Sequence, residues 1–191
     1  LKLVFATHNN NKLIEVQALM PEGIELLSLD DIGCHEEIPE TATTIAGNAS
    51  IKAQHVKKHY GYDCFADDTG LEVAALDGAP GVYSARYAGP DNDAQANMSK
   101  LLTELQGKED RSARFLTVMA LIIGKEEQHF YGSCEGRILD TAKGEKGFGY
   151  DPIFLPDGHD YSFAQMSPDQ KGAISHRGRA LSLLIKHLDS L

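Results

Sequence analysis

Phe65-Ala66-Asp67-Asp68-Thr69-Gly70-Leu71 is the stretch from which the rest of the chain is best approached. A short apolar run, Cys64 to Ala66, meets two adjacent carboxylates, then a hydroxyl and a glycine, before apolar residues resume at Leu71. Neighbouring side chains on a strand point to opposite faces, so at most one of Asp67 and Asp68 serves a given site while the strand continues. Asp, Thr and Gly are also turn residues, so the pattern reads equally as a strand ending in an Asp-Asp-Thr-Gly turn. On this reading Asp68 stands at the end of the strand.

Upstream, Lys2 to Ala6 reads as a buried strand, followed by Thr7-His8-Asn9-Asn10-Asn11-Lys12 and a helix on which Leu13, Val16 and Met20 recur. Strand, polar loop, helix directs backbone N–H groups and the positive helix end at an anion, and Lys12 adds a full charge. A plain capping asparagine is the alternative. Ile24 to Leu29 reads as a second short strand. Thr43 to Tyr60 reads as a helix with an apolar stripe of Ala46, Ala49, Ala53 and Val56. Lys52 lies one position off that stripe, either exposed or leaning into a neighbouring cleft.

Downstream, Leu71 to Val73 is strand-like, and Tyr83-x-x-Arg86-Tyr87 is a stacking and phosphate surface, a dimer contact or a half-buried segment. Pro90 to Asp93 caps a helix with Ala94, Met98, Leu101 and Leu105 on one face. Arg111–Ile123 and Gln128–Leu139 are β-patterned and separated by Gly124 to Glu127, which predicts a hairpin. Val118 to Ile123 is apolar throughout, so at least part of it is expected to be buried on both faces. Gly144 to Pro152 carries three glycines with Phe148, Tyr150 and Asp151, either a ligand-approaching loop or a flexible connection to a strand at Ile153–Leu155. Ser175-His176-Arg177 precede a last helix with Leu181, Leu184 and Leu188 on one face.

The chain has 191 residues, 42% hydrophobic, enough for one soluble domain over residues 1–191. A net charge of −10 argues against a duplex nucleic-acid partner, and no run is long enough to span a membrane. Cys34, Cys64 and Cys134 show no paired spacing, so they are expected to be reduced, in a cytoplasmic protein.

Six ordered motifs resemble the inosine triphosphate pyrophosphatase (Ham1-like) family over nearly the whole chain. They are Thr7-x-Asn9-x-x-Lys12; Pro39-Glu40-Thr41 with Asn48-Ala49 and Lys52; Ala66 to Leu71; Gly78 to Tyr87; Gly147 to Pro152; and Ser175-His176-Arg177. The resemblance implies an elongated α/β fold, with a mixed, bent central β-sheet flanked by helices and two lobes enclosing a substrate cleft. It implies a homodimer that uses Mg²⁺ to hydrolyse nucleoside triphosphates of inosine or xanthosine to the monophosphate and pyrophosphate. By position, Asp68 matches the catalytic carboxylate and metal ligand, and Glu40 a second metal-associated carboxylate. Thr7, His8, Asn9, Asn10, Asn11, Lys12 and Thr69 match phosphate-side contacts, with Lys52 as a further cation. Phe148, Gly149, Tyr150, Asp151, Lys171, His176 and Arg177 match contacts toward the base. Asp67 is expected to support the turn or reach a neighbour. Gly47 departs from the glutamate common at its position, and Thr69 from the common serine.

Overall fold

The computed structural model describes residues 1–191. Seven strands form one mixed sheet, with five α-helices. The strands are β1 (Lys2–Phe5), β2 (Glu25–Leu27), β3 (Cys64–Val73), β4 (Pro80–Gly81), β5 (Ser112–Ile123), β6 (Glu126–Ile138) and β7 (Phe154–Pro156). Their order is β2-β1-β3-β5-β6-β7, with β4 paired to β3. Pairing is parallel for β1 with β2 and β3, and antiparallel for β3 with β4 and β6 with β7. The helices are α1 (Asn10–Leu19), α2 (Ile45–Tyr60), α3 (Ala94–Glu104), α4 (Pro168–Ile174) and α5 (His176–Leu188). None is long and apolar enough to cross a membrane. The chain divides into two compact units, residues 1–68, 117–132 and 177–191 in the first, and 69–116 and 133–176 in the second.

In the first unit, strand alternation feeds two cores. Leu3, Phe5, Phe65, Met119 and Leu121 pack with Val16 of α1 and with Ala180, Leu181 and Leu184 of α5. Val4, Ala66, Ala120 and Ile122 pack with Ala49, Ala53 and Val56 of α2. The expected double burial of the run after Val118 is therefore present, as consecutive residues serve opposite faces. Phe5 and Phe65 are register partners with rings stacked at 4.7 Å. The alanines of α2 permit its close approach to the sheet. Its buried stripe also takes in Asn48 and Lys52, whereas Ala46 is only partly buried.

In the second unit, Leu71 and Val73 of β3 join Met98 and Leu101 of α3, Phe115 and Ile138, and a ring cluster containing Phe154 and Phe163. Phe115 meets Phe154 edge-on at 4.6 Å. The hairpin foreseen from the sequence turns more tightly than its residues suggested, since only Gly124 and Lys125 separate β5 from β6. Gly124 adopts φ +59, which glycine takes without steric cost.

Candidate functional site

The aspartate pair does not end a strand. Strand β3 runs unbroken from Cys64 to Val73, so Asp67 and Asp68 lie within it rather than at a terminal turn. Pairing with β1 on one side and β4 further along outweighs the local turn preference of Asp-Asp-Thr-Gly. Alternation then separates the two carboxylates. Asp67 shares the face of Phe65, toward α1 and α5, and Asp68 shares the face of Ala66, toward α2.

Asp67 is fully buried between two cations. Lys12 Nζ donates to Oδ1 at 3.0 Å and Arg177 Nε donates to Oδ2 at 3.0 Å. Arg177 Nη1 also donates to Glu15 Oε2 at 2.5 Å. Burial penalises the Asp67 charge, but Lys12, Arg177 and Lys52 overcome it and hold the carboxyl well below its usual range. Burial lowers the Lys12 pKa despite Asp67, helped by the positive charges of Lys52 and Arg177.

Asp68 has the opposite setting. It is 6% exposed, and its buried Oδ2 has no hydrogen-bond partner. Lys52 Nζ stands 3.9 Å from Oδ1 and donates to Glu40 Oε1 at 2.6 Å. Burial raises the Asp68 pKa, with Glu40 and Asp67 adding to the rise and Lys52 and Lys12 opposing it. For Lys52, burial works against the ammonium, but Asp68, Glu40 and Asp67 keep its pKa above the ordinary value. Lys52 is thus the inward-leaning lysine, on the buried side of α2.

The loop after β1 serves as a helix cap. Asn9 Oδ1 accepts from Lys12 N, and Thr7 Oγ1 accepts from Asn9 N. A helix start has backbone donors without intrahelical partners, and the Asn9 side chain satisfies one of them. Asn10 and Asn11, in the first turn of α1, have exposed side chains. His8 Nε2 contacts the Glu36 carbonyl at 2.9 Å.

A second cluster lies within the second unit. Lys171 Nζ donates to Asp151 Oδ2 at 2.6 Å, with both residues buried. The same ammonium stands 4.9 Å from the centre of the Phe148 ring and 5.6 Å from that of Phe163. Phe148 N also donates to Asp151 Oδ2, at 3.0 Å. Gly147, at φ +69, leaves a Cβ position only 2.1 Å from that oxygen, so the loop closes there only with glycine. Gly149 follows at φ +61. Tyr150 turns inward, and its hydroxyl donates to Ser84 O at 2.7 Å. The His176 ring stacks on Phe115 at 4.5 Å. The segment from Gly147 to Pro152 is therefore anchored at three residues rather than a flexible connection.

The structure brings Asp68, Glu40 and Lys52 together in the first unit, with Lys12 and Arg177 on Asp67. It brings Phe148, Asp151, Lys171 and His176 together in the second, where Thr69 is partly buried on β3. Two participants were given no site role by the sequence reading. Glu15 holds Arg177 from α1, three residues after Lys12, a spacing that puts both on one helix face. Asn48, fully buried, accepts from Ala42 N at 2.9 Å and so restrains the segment carrying Glu40. Its signal was a polar residue one turn before Lys52 on a buried stripe. Tyr83 stayed 53% exposed, with Arg86 over its ring at 5.1 Å.

Comparison with known proteins identifies the family of the chain. A protein from Christiangramia forsetii named dITP/XTP pyrophosphatase is 58% identical over 188 residues, covering 98% of this chain and 99% of its own. One of the same name from Flavobacterium psychrophilum is 56% identical over 185 residues, covering 97% of each. The solved structure of a HAM1 protein from Coxiella burnetii superposes with a TM-score of 0.92 at 39% identity, covering all of both chains. The Ham1 family model matches residues 3–187. A likeness this even along the length, in sequence and in fold, means that the chain belongs to the Ham1 family.

Proposed function

We propose that the chain is a nucleoside triphosphate pyrophosphatase, hydrolysing non-standard purine triphosphates (those of inosine, deoxyinosine and xanthosine) to the monophosphate and pyrophosphate. The observation that carries this reading is the Asp68 carboxylate, buried, with Oδ2 lacking a hydrogen-bond partner and Lys52 and Glu40 beside it. An orphaned buried oxygen next to a second carboxylate suits a hard divalent cation. Asp68 and Glu40 would hold Mg²⁺. When bound, the ion would neutralise charge on the phosphate oxygens.

Asp68 takes the proton of a water that attacks the α-phosphorus. The bond from that phosphorus to the oxygen bridging the β-phosphate breaks, and pyrophosphate leaves. In the ion-free site burial raises the Asp68 pKa, which favours its taking a proton. Lys52 orients it from 3.9 Å, and Lys12 with the first turn of α1 offers positive charge to the triphosphate. Thr7 to Asn11 and Thr69 complete the phosphate side. Phe148 presents a ring for the base, and Gly149, Tyr150, Asp151, Lys171, His176 and Arg177 make up or hold the base side. A donor from the backbone, His176 or Arg177 meets the C6 oxygen of inosine and would be left unpaired by adenosine.

The family match along residues 3–187 supports one catalytic domain over the chain. Three free cysteines fit a cytoplasmic setting, and a homodimer completes the proposal. The test is a product assay on inosine triphosphate, with and without Mg²⁺. Equimolar pyrophosphate and monophosphate, dependent on the ion, are expected. Orthophosphate as the first product would overturn the reaction class, and equal rates on adenosine and inosine triphosphates would overturn the selectivity alone.

A further inference from the structure

Outside both clusters, Cys34, Glu36 and His55 converge in the first unit, with one ligand atom from each lying within 4.8 Å of the others. The convergence is built locally. A 3₁₀ turn at Asp30–Ile32 closes on Gly33 at φ +72, and Cys34 N donates to Leu29 O at 2.9 Å. That turn sinks Cys34 fully into the core beside α2. Glu36, two residues on, meets the imidazole that α2 presents, with His55 Nε2 at 2.8 Å from Oε1. Tyr60, at the end of the same helix, donates its hydroxyl to both Glu36 oxygens. His8 contacts the Glu36 carbonyl, and the His59 ring stands 4.6 Å from that of His55.

We propose that Cys34, Glu36 and His55 form a binding site for a thiophilic divalent cation of the Zn²⁺ type, separate from the oxygen ligands at Asp68. A thiolate, an imidazole and a carboxylate are a zinc ligand set, whereas Mg²⁺ takes oxygen ligands and leaves thiolates aside. With bonds of about 2.0–2.3 Å, tetrahedral ligand atoms lie roughly 3.3–3.6 Å apart. The Glu36–His55 contact therefore opens by somewhat less than an ångström as the thiol closes in. The Glu36 and His55 side chains, 46% and 22% exposed, have room for that adjustment, and their open side supplies a fourth position for water. Binding exchanges protons simply. The Nε2 proton that His55 donates to Glu36 moves through solvent to Nδ1, which frees Nε2 for the ion, and the Cys34 thiol releases its proton to the buffer. Hydrogen bonds from His55 and Tyr60 already hold Glu36 ionised, at a pKa lowered to about 2. An occupied site staples the segment from Cys34 toward Glu40 onto α2, the helix that carries Lys52.

The experiment uses the full chain, stripped with chelator and titrated with Co²⁺ in buffer containing excess Mg²⁺. A thiolate-to-cobalt charge-transfer band is expected, saturating at a single ion per chain and bleached by Zn²⁺. Cys34→Ser should abolish the band, and Cys64→Ser and Cys134→Ser should retain it. His55→Gln, which leaves the buried thiol untouched, should weaken Co²⁺ binding by at least roughly 10–100-fold and remove the Zn²⁺-induced rise in melting temperature. Absence of the band in the unaltered chain, or its survival in Cys34→Ser, overturns the proposal. Neither result bears on the pyrophosphatase reading, since oxygen ligands at Asp68 give no thiolate band.

Discussion

Asp67 is held between Lys12 and Arg177 at 3.0 Å each, while one carboxylate oxygen of its neighbour Asp68 is buried without a hydrogen bond. Adjacent, identical residues should therefore respond oppositely to the same change. Asp67→Asn leaves two buried cations short of a countercharge and is expected to cost about 3–5 kcal/mol in urea unfolding. Asp68→Asn removes a buried charge that Lys52 only partly offsets from 3.9 Å, so the melting temperature should hold or rise, while turnover of inosine triphosphate falls about 10²–10⁴-fold. Equal destabilisation by the two substitutions would show that the carboxylates are not divided in this way. Strand periodicity alone showed that at most one of the pair serves a given site while the strand continues, and the family resemblance gave that place to Asp68. The partners were not legible, because Arg177 and Lys12 are far from Asp67 in the chain, and only pairing of β1 with β3 and packing of α5 bring the three together.

Among the elements, those with a strong periodic pattern were foreseen, and those defined by caps were not. Helix α2 showed its alanine stripe, and β5 its apolar run. Helix α4 has seven residues and no stripe. It is specified instead by Ser167 and Gln170 as a reciprocal capping box, with Pro168 in the first turn. Helix α5 starts at His176, so Arg177 stands in the first turn, where the helix dipole disfavours a cation. Asp67 and Glu15 offset that placement. Gly47 is explained by its surroundings. A Cβ there would lie 2.7 Å from Ala42 Cβ and 2.9 Å from Thr44 Oγ1, the oxygen that caps the helix. The sharper test is the loop at Gly147. Gly147→Ala forces a positive φ on a residue with a Cβ, at a cost of at least about 1–2 kcal/mol, and drives the methyl into Asp151. The expected result is a rise in KM for the nucleotide larger than any fall in kcat, measured with full saturation curves on folded protein.

At the scale of the molecule, the mixed sheet with flanking helices was accessible from the order of strand and helix patterns, but not its strand order, which depends on contacts between distant segments. Asp63 illustrates how such contacts become acid sensitivity. Its Oδ1 accepts from Lys57 Nζ at 2.7 Å and from Gly124 N at 2.9 Å, joining the end of α2 to the β5–β6 turn. These bonds, with Lys57 the main contributor, lower its folded pKa. A depressed carboxylate contributes stability that is complete above its unfolded pKa of about 3.9 and is lost as pH falls toward the folded value. Melting temperature should therefore drop below about pH 4, and Asp63→Asn should flatten that limb while lowering the plateau above it. An unchanged acid limb in the variant would assign the loss to other carboxylates. The Arg177–Asp67 bond, spanning 110 positions, also has a consequence in time. At about 5–20 residues per second, a ribosome finishes Asp67 roughly 6–20 s before it reaches Arg177. Throughout that interval the nascent carboxylate has only Lys12 of its two hydrogen-bonded cations. A chain ending before α5 would have to bury Asp67 against Lys12 alone, so such a truncation is expected to unfold more readily than the full chain.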